Sequence, residues 1–376
     1  MGAGDVGAGM DILVIGGTGP TGPHIVNGLV DRGHTVTILH TGRHEVDTIP
    51  AHLEHIHTDP FDPDAFRSSI EGRTFDVVFA MYGRLRAIVQ VLKGRTPRLF
   101  SIGGVPIYSG FSEPAIEFPE GMPVPTHESD RLISDERSGP KPLKIAQSEE
   151  LTFSLHPDAT HFRYPYIYGP NQVLPREWTL VKRALDGRQQ IIVPDGGLTV
   201  MTSAFVENAT SAVLLAVDHI DTSAGEIYNV GDDLQFTYAQ IAQIVGDELG
   251  NPFELVSVPW DLAATAGPFL HNHSSTHRIL STEKIRQQLG YRDHVHPEEG
   301  LRRTVRWQAE NLPANEDVAV RLQDPFDYAA EDALIAATQR YASDVGRIEW
   351  EHTPGWSFGY YGPHENPGGR RGSFRA

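Results

Sequence analysis

The strongest constraint on this chain is a short apolar run, Asp11-Ile-Leu-Val-Ile15, that breaks directly into Gly16-Gly-Thr-Gly-Pro-Thr-Gly22-Pro. Such a run, stopped by glycine, has the pattern of a parallel strand covered on both faces. Beyond the glycines, Ile25, Val26, Leu29 and Val30 fall at helical spacing, and Gly33 is a helix stop. Strand, glycine turn and helix in that order make a specific signal of a common glycine pattern, with a plain turn as the weaker alternative. The first glycine permits a tight turn, the second lets backbone approach a pyrophosphate, and the third lets the helix pack closely. The helix start adds unpaired N–H groups and a partial positive charge. Gly16, Gly19 and Gly22, with Pro20 and Thr21 between them, are therefore the expected contacts of a dinucleotide.

The alternation continues down the chain. Strands are predicted near 35–39, 54–57, 75–80, 98–102, 160–164, 190–193 and 226–230. Helices are predicted over 62–70, 84–93, 144–155, 177–187, 205–220, 237–249, 281–289 and 300–311. Short apolar strands alternating with helices imply an α/β fold, a Rossmann-type doubly wound parallel sheet with right-handed crossovers and a smaller C-terminal substrate-binding lobe. The expected organisation is a nucleotide-binding domain over 10–170, helped by a strand and helix from about 200–232, a lobe over 171–312, and an extension over 313–376. Residues 110–142 are rich in Pro, Gly, Ser and charge, the composition of a loop that borders a site. Asp195-Gly-Gly-Leu198 reads as a hairpin-type turn.

Composition narrows the function classes. Lys and Arg total 31 against 49 Asp and Glu, a formal charge of -18, which repels phosphate backbones and anionic lipid. No nucleic-acid or membrane partner is expected. The absence of cysteine removes disulfides, thiolate nucleophiles and cysteine zinc sites. No apolar run approaches the ~20 residues that span a bilayer. The nine residues before Met10 carry neither a basic start nor an apolar stretch, so the fold is expected to begin at Met10 and the protein to be cytoplasmic. His271, His273 and His277, like His52, His55 and His57, lack a supporting carboxylate and are read as polar or solvated, so no metal is expected.

At the end of the second strand, where an acid would grip the ribose hydroxyls of NAD, stand His40-Thr41-Gly42-Arg43. A guanidinium there can pair with a 2′-phosphate, so Arg43 favours NADP, with NAD as the alternative. Asp59, just past the third strand, could accept a bond from the adenine amine, although Asp-Pro is also a turn opener. Ala80 and Met81 would flank the same cofactor.

Three further segments carry a resemblance. They are Arg163-Tyr-Pro-Tyr-Ile-Tyr-Gly-Pro170, Gly225-Glu-Ile-Tyr-Asn-Val-Gly231, and Leu289-Gly-Tyr followed by Gly300-Leu-Arg-Arg-Thr-Val-Arg-Trp307. Over roughly residues 10–312 the chain resembles the extended short-chain dehydrogenase/reductase family, also called the NAD-dependent epimerase/dehydratase family. The resemblance implies a nicotinamide near Gly103, Gly104, Tyr164 and Pro165. It also implies a tyrosine, a lysine four residues on, and a serine or threonine at the end of an earlier strand. Lys144 fits the lysine and would hold the ribose. The tyrosine position holds Pro140, and the serine position falls at Gly103 or Gly104.

The usual acid–base pair is thus missing, which marks an atypical member. Tyr82, Tyr108, Tyr166 and Tyr168 are the nearest replacements, all expected at the C-terminal ends of strands, with Tyr108 and Tyr82 placed beside Lys144 as the catalytic candidates. His127 or Glu128 of the long loop is a second source of an acid, and loss of catalysis in favour of nucleotide binding is a third reading. The expected activity is NADPH-linked hydride transfer to a carbonyl, activated alkene or imine of a small substrate. Sugar-nucleotide epimerisation or dehydration is the alternative. A nucleotide- or RNA-binding role belongs to a different class: the chloroplast stem-loop-binding proteins are similar in lacking the tyrosine while keeping the lysine. The charge of -18 opposes that reading. A homodimer is expected only by family analogy.

Overall fold

The run Asp11–Ile15 becomes β1, and four of its five residues are buried. The structure, a computed structural model, describes residues 9–42, 46–81, 85–271, 274–311 and 321–352. β1 is flanked by β2 (Thr35–His40) and β4 (Val77–Ala80). Beyond them lie β3 (Glu54–His57) on one side and β5 (Arg98–Gly104), β6 (Thr160–Tyr164) and β10 (Ile227–Asn229) on the other. The order β10-β6-β5-β4-β1-β2-β3 makes a seven-stranded sheet in which every pair is parallel. This is the doubly wound α/β sheet that the alternation predicts.

Side chains alternate between the two faces, as the two-residue strand period requires. Ile12, Val14, Ile38 and Phe79 pack with α1 (Gly22–Asp31) and α6 (Val206–Asp218). Leu13, Ile15, Val78 and Leu99 pack with α2 (Pro63–Ser69) and α3 (Leu85–Leu92). Partly buried Leu151 and Leu155 of α4 (Pro140–Leu155) join the same layer. Each fully buried Val, Leu or Ile contributes ~1.5–3 kcal/mol, so both layers are needed to hold the strands. The strand order reverses between β1 and β4, and their C-terminal ends open the crevice where such sheets bind ligands.

A second core gathers Val181 of α5 (Trp178–Leu185), Val193 of β8 (Gln190–Pro194), Val245 of α7 (Tyr238–Glu248) and Val305 of α10 (Pro297–Glu310). A capping box between Thr237 and Gln240 starts α7. Two short strands, β7 (Tyr166–Tyr168) and β9 (Ser203–Phe205), pair beneath it. β8 pairs in parallel with β11 (Glu254–Val258). Parallel partners need a long crossover. The expected hairpin at Asp195-Gly-Gly is therefore corrected to a tight turn, with left-handed backbone at Asp195, Gly196 and Gly197. The short helices α8 (Gly267–Leu270) and α9 (Glu283–Leu289) complete this region.

The chain divides into two compact units between Asp327 and Tyr328. Within the first, Leu322 is buried and Asp324 pairs with Arg183 at 2.7 Å, both side chains covered. The second unit holds α11 (Tyr328–Val345), an 18-residue helix that the sequence reading left inside a featureless extension. Its alanine-rich sequence favours a helix without an apolar stripe to reveal it. Among the described residues no helix is long and apolar enough to cross a membrane.

Candidate functional site

The chain leaves β1 through Gly16, whose N–H donates to the Leu39 carbonyl at 2.9 Å. It enters α1 at Gly22, where an added Cβ would lie 2.2 Å from the Gly17 carbonyl carbon, so no larger residue fits. Gly19 faces open space. Thr21 at the N-cap makes no side-chain bond to the first turn, and that turn carries no acid. The helix start therefore keeps its partial positive charge for an anion, while its Gly22 N–H is spent on the Gly19 carbonyl at 3.0 Å and Pro23 has no N–H to offer. A Cβ on Gly16 would meet the Met81 carbonyl at 3.0 Å, which sets the chain leaving β4 after Ala80 directly against the loop. The Tyr164 hydroxyl at the end of β6 reaches Thr21, and burial raises its pKa. Pro165 follows, buried, and Gly103 pairs with Arg163 in the sheet. These residues fit a dinucleotide: one close contact that only glycine allows, one open face, and an uncapped helix.

The other expected contacts are distributed less simply. Asp59 Oδ1 accepts from the Phe61 N–H at 2.9 Å, the turn-opening role, and the residue is exposed beyond β3. Arg43 and Tyr82 lie outside the described residues. At the end of β2, His40 is buried and stands opposite His57 in the β2–β3 register. Its Nδ1 accepts from the Gly42 N–H at 3.1 Å, and its Nε2 lies 2.8 Å from His55 Nδ1. His40, His55 and His57 have ligand atoms within 4.8 Å of one another. The backbone bond places the His40 proton on Nε2, where it is donated to His55, while the His57 ring packs edge-on against His40. The expectation of solvated imidazoles is corrected at His55, which is half-buried and bonded to His40, whereas His57 is exposed; His40 is the residue it missed. The parallel register of two predicted strands was the available signal. His273 lies outside the described residues, while His277 Nδ1 accepts from the Val200 N–H at 3.2 Å.

The positions where the resemblance implies a tyrosine and a serine are occupied by other residues. Pro140 is the first residue of α4, where a missing N–H costs nothing and φ is already helical. Lys144 follows one turn later, exposed. A Cβ on Gly103 would sit 2.4 Å from His161 Nε2, so the imidazole fills the space a serine would need; Gly104 is less crowded, its nearest neighbour being Pro106 Cδ at 3.3 Å. His161 is buried between Ser101 Oγ, 2.7 Å from its Nδ1, and Glu149 Oε2, 3.3 Å from its Nε2. Desolvation pulls its pKa down to about 4.

Glu149 takes a bidentate pair from Arg163 at 2.9 and 2.7 Å. Against the pull of burial, that pair holds the guanidinium above its ordinary pKa. Arg163 Nη1 donates to the Tyr108 hydroxyl at 2.7 Å and to the Glu128 carbonyl at 2.9 Å, and Tyr108 donates to Asn229 Oδ1 at 2.7 Å. Tyr108 is completely buried, and desolvation pushes its pKa up to about 12. With its hydroxyl engaged on both sides and no path to solvent, Tyr108 serves the network that braces β5, β6 and β10. Glu128 Oε1 accepts from the Asn229 N–H, and His127 is exposed in its loop.

Two connected cavities open where the sheet meets the second core. One is lined by Val105, Phe111, Tyr166, Arg176, His271 and Arg278, among others. The second shares Tyr166, Arg176, Met201 and Thr202 with it and extends to Tyr168 and Glu177. Val105 follows Gly104 directly, and Tyr166 follows Pro165, so the cleft begins at the strand ends where the nicotinamide was expected. The Tyr166 hydroxyl donates to Glu177 Oε2 at 2.9 Å and accepts from the Arg176 N–H, and the Tyr168 hydroxyl donates to Asp232. His271 caps α8 in a left-handed backbone conformation, φ 47°. Desolvation, then the charges of Arg176, Lys141 and Arg278, lower its pKa to about 4.

No family model matches the chain. It is 26% identical over 307 residues to the chloroplast stem-loop binding protein of 41 kDa b of Arabidopsis thaliana, covering 77% of each chain. It is 24% identical over 330 residues to the UDP-N-acetyl-alpha-D-glucosaminuronate decarboxylase of Bacillus cytotoxicus, covering 78% of this chain and 96% of the relative. A 3-diazoavenalumate denitrifying reductase of a Streptomyces species is 26% identical over 309 residues, 77% of this chain and 97% of the relative. Among solved structures, UDP-glucose 4-epimerase of Thermotoga maritima superposes with a TM-score of 0.62 at 20% identity, covering 81% of this chain and 100% of its own. The Bordetella bronchiseptica enzyme WbmF, solved with NAD+ and UDP, gives 0.61 at 20% identity, covering 88% and 98%. At those identities the solved structures establish the fold, and it is the expected one.

Proposed function

We propose that the chain is an atypical enzyme of the extended short-chain dehydrogenase/reductase family, of the epimerase/dehydratase type, and an NADPH-linked oxidoreductase. Its substrate is a small organic molecule with a carbonyl, activated alkene or imine. The observation that carries this reading is the phosphate cradle, which is built in full and stands at the same end of the sheet as the cleft. When bound, the nicotinamide supplies the hydride. Gly16, Gly19, Pro20, Thr21 and Gly22 hold the pyrophosphate, Ala80 and Met81 flank it, and Lys144 holds the ribose. Gly103, Tyr164 and Pro165 border the nicotinamide, and Asp59 keeps one carboxylate oxygen for the adenine. The 2′-phosphate falls to Arg43, three residues beyond His40 in the sequence, where NAD binders carry an acid.

Proton delivery moves away from Tyr108, whose hydroxyl is committed to Arg163 and Asn229. Of the two tyrosines named as catalytic candidates Tyr82 is left, and His271 is a titratable group that lines the cleft on an uncommon backbone. We further propose a cytoplasmic homodimer with no nucleic-acid partner, in keeping with the charge of -18.

The test is NADPH oxidation against a panel of ketones, aldehydes, enones and imines. Consumption with at least one class is expected. Tight NADPH binding with no consumption across the panel would replace the enzyme reading with a nucleotide-binding regulator. Arg43→Ala is expected to weaken NADP about fivefold, roughly 1 kcal/mol, and leave NAD nearly unchanged; equal losses would remove the NADP preference.

A further inference from the structure

The cleft carries a feature that neither the cradle nor the hydride reading requires. In a chain of formal charge -18, the cavity next to Val105 is lined by Arg176, Arg278 and His271 with no acid among its lining residues, and Lys141 lies near enough to act on His271, while Glu177 lines the adjoining cavity. Arg278 is 4% exposed, and its Nε and Nη2 have no hydrogen-bond partner among the described residues. Its remaining contacts are weak, Nη1 to the Met201 sulfur at 3.7 Å and the guanidinium over the Phe111 ring at 4.6 Å. Arg176 Nε is buried without a partner as well, and its guanidinium lies 4.2 Å above the Tyr166 ring. Neighbouring Glu177 turns its carboxylate to Tyr166 and Gln308.

A buried guanidinium with open donors is costly, and a second one nearby raises the cost. The strain shows in the titration of Arg278, which desolvation and the charge of Arg176 pull down to about 9, so it stays protonated at neutral pH. The Arg278 backbone is held on both sides. Arg278 N–H donates to the Val200 carbonyl at 3.0 Å, and its own carbonyl accepts from Thr202 at 2.9 Å. Planar donor forks are suited to oxyanions, which would satisfy the open N–H groups and offset the repulsion.

We propose that Arg176 and Arg278 form an anion-binding subsite that holds a carboxylate or phosphate group of the substrate, with its apolar body against Phe111 and Leu280. This rests on the reading of the cleft as the substrate site. The experiment is isothermal titration and thermal melting of cofactor-free protein with cinnamate, methyl cinnamate, inorganic phosphate and pyrophosphate, each at millimolar concentration. Cinnamate or a phosphate is expected to bind and raise the melting temperature, while the uncharged ester does not. Binding of cinnamate alone assigns a carboxylate; binding of the phosphates alone assigns a phosphoryl group. Arg278→Gln and Arg176→Gln should each weaken the responsive anion at least tenfold, with Arg278→Lys retaining part of it.

One readout separates this role from scaffolding. Without ligand, Arg278→Gln should melt at or above the parent temperature, because it removes an unpaired buried charge; a scaffold arginine would melt lower. Failure of all three anions to bind the parent, equal binding of acid and ester, or undiminished binding in both glutamine variants would overturn the subsite. NADPH affinity, measured separately, should be unchanged in the variants. Its absence in the parent would sink the proposed function and leave the anion result standing by itself.

Discussion

The two ends of the crevice are built under opposite rules. At the cradle, every position asked of a dinucleotide loop is present, and the packing enforces it: Gly22 lies against Gly17 so closely that no side chain could be placed there. At the proton-transfer end, the positions where the family keeps a tyrosine and a serine hold Pro140 and glycine. The space beside Gly103 belongs to His161, and Tyr108 has become part of a buried Arg163–Glu149 network. Cofactor binding constrains backbone shape, which tolerates little change. Proton transfer needs only one group at the right place, so it can be moved.

The contrast predicts a graded series of effects. Gly22→Ala should cost about 100-fold or more in NADPH affinity, ~2.8 kcal/mol, read by fluorescence titration; retention of affinity would show that the cradle is looser than its packing implies. Gly103→Ser should destabilise the fold by ~1–3 kcal/mol through overpacking against His161, whereas Gly104→Ser should cost less. Urea unfolding of the two variants checks this, and equal losses would remove His161 from the account. Tyr108→Phe should lower stability by about 1–2 kcal/mol with NADPH affinity and turnover retained. Turnover abolished in a stably folded Tyr108→Phe would return that tyrosine to catalysis. The smallest effect is expected at Lys144→Ala, where loss of a ribose contact from an exposed lysine should weaken NADPH severalfold, roughly 1 kcal/mol; unchanged affinity would remove that role.

The same contrast governs what the sequence disclosed. The cradle is local: Gly16, Gly19 and Gly22 span one turn, and each carries its requirement in its own residue type. The sheet is legible too, because buried strands such as Asp11–Ile15 and Val77–Ala80 are continuous apolar runs. What escaped is assembled from distant parts. His40 meets His55 and His57 only through strand pairing, and Arg176 meets Arg278 only after the second core has folded. The helix expected from Lys144 starts four residues earlier, at Pro140, since a proline at the first position is favoured there. The parallel β8–β11 pair could not be told from a hairpin by its turn residues, because Asp-Gly-Gly serves both. The helix Tyr328–Val345 lacks the apolar stripe by which helices are recognised.

The most direct test of the contrast is a crystal structure of the NADPH complex, reading which side chain faces nicotinamide C4. The account predicts the pyrophosphate on the Gly16–Gly22 loop and C4 opening onto the cleft between Val105, Tyr166 and Arg278, with Tyr108 still bonded to Arg163 and Asn229. A nicotinamide turned away from that cleft, or a Tyr108 hydroxyl swung out to meet C4, would contradict it.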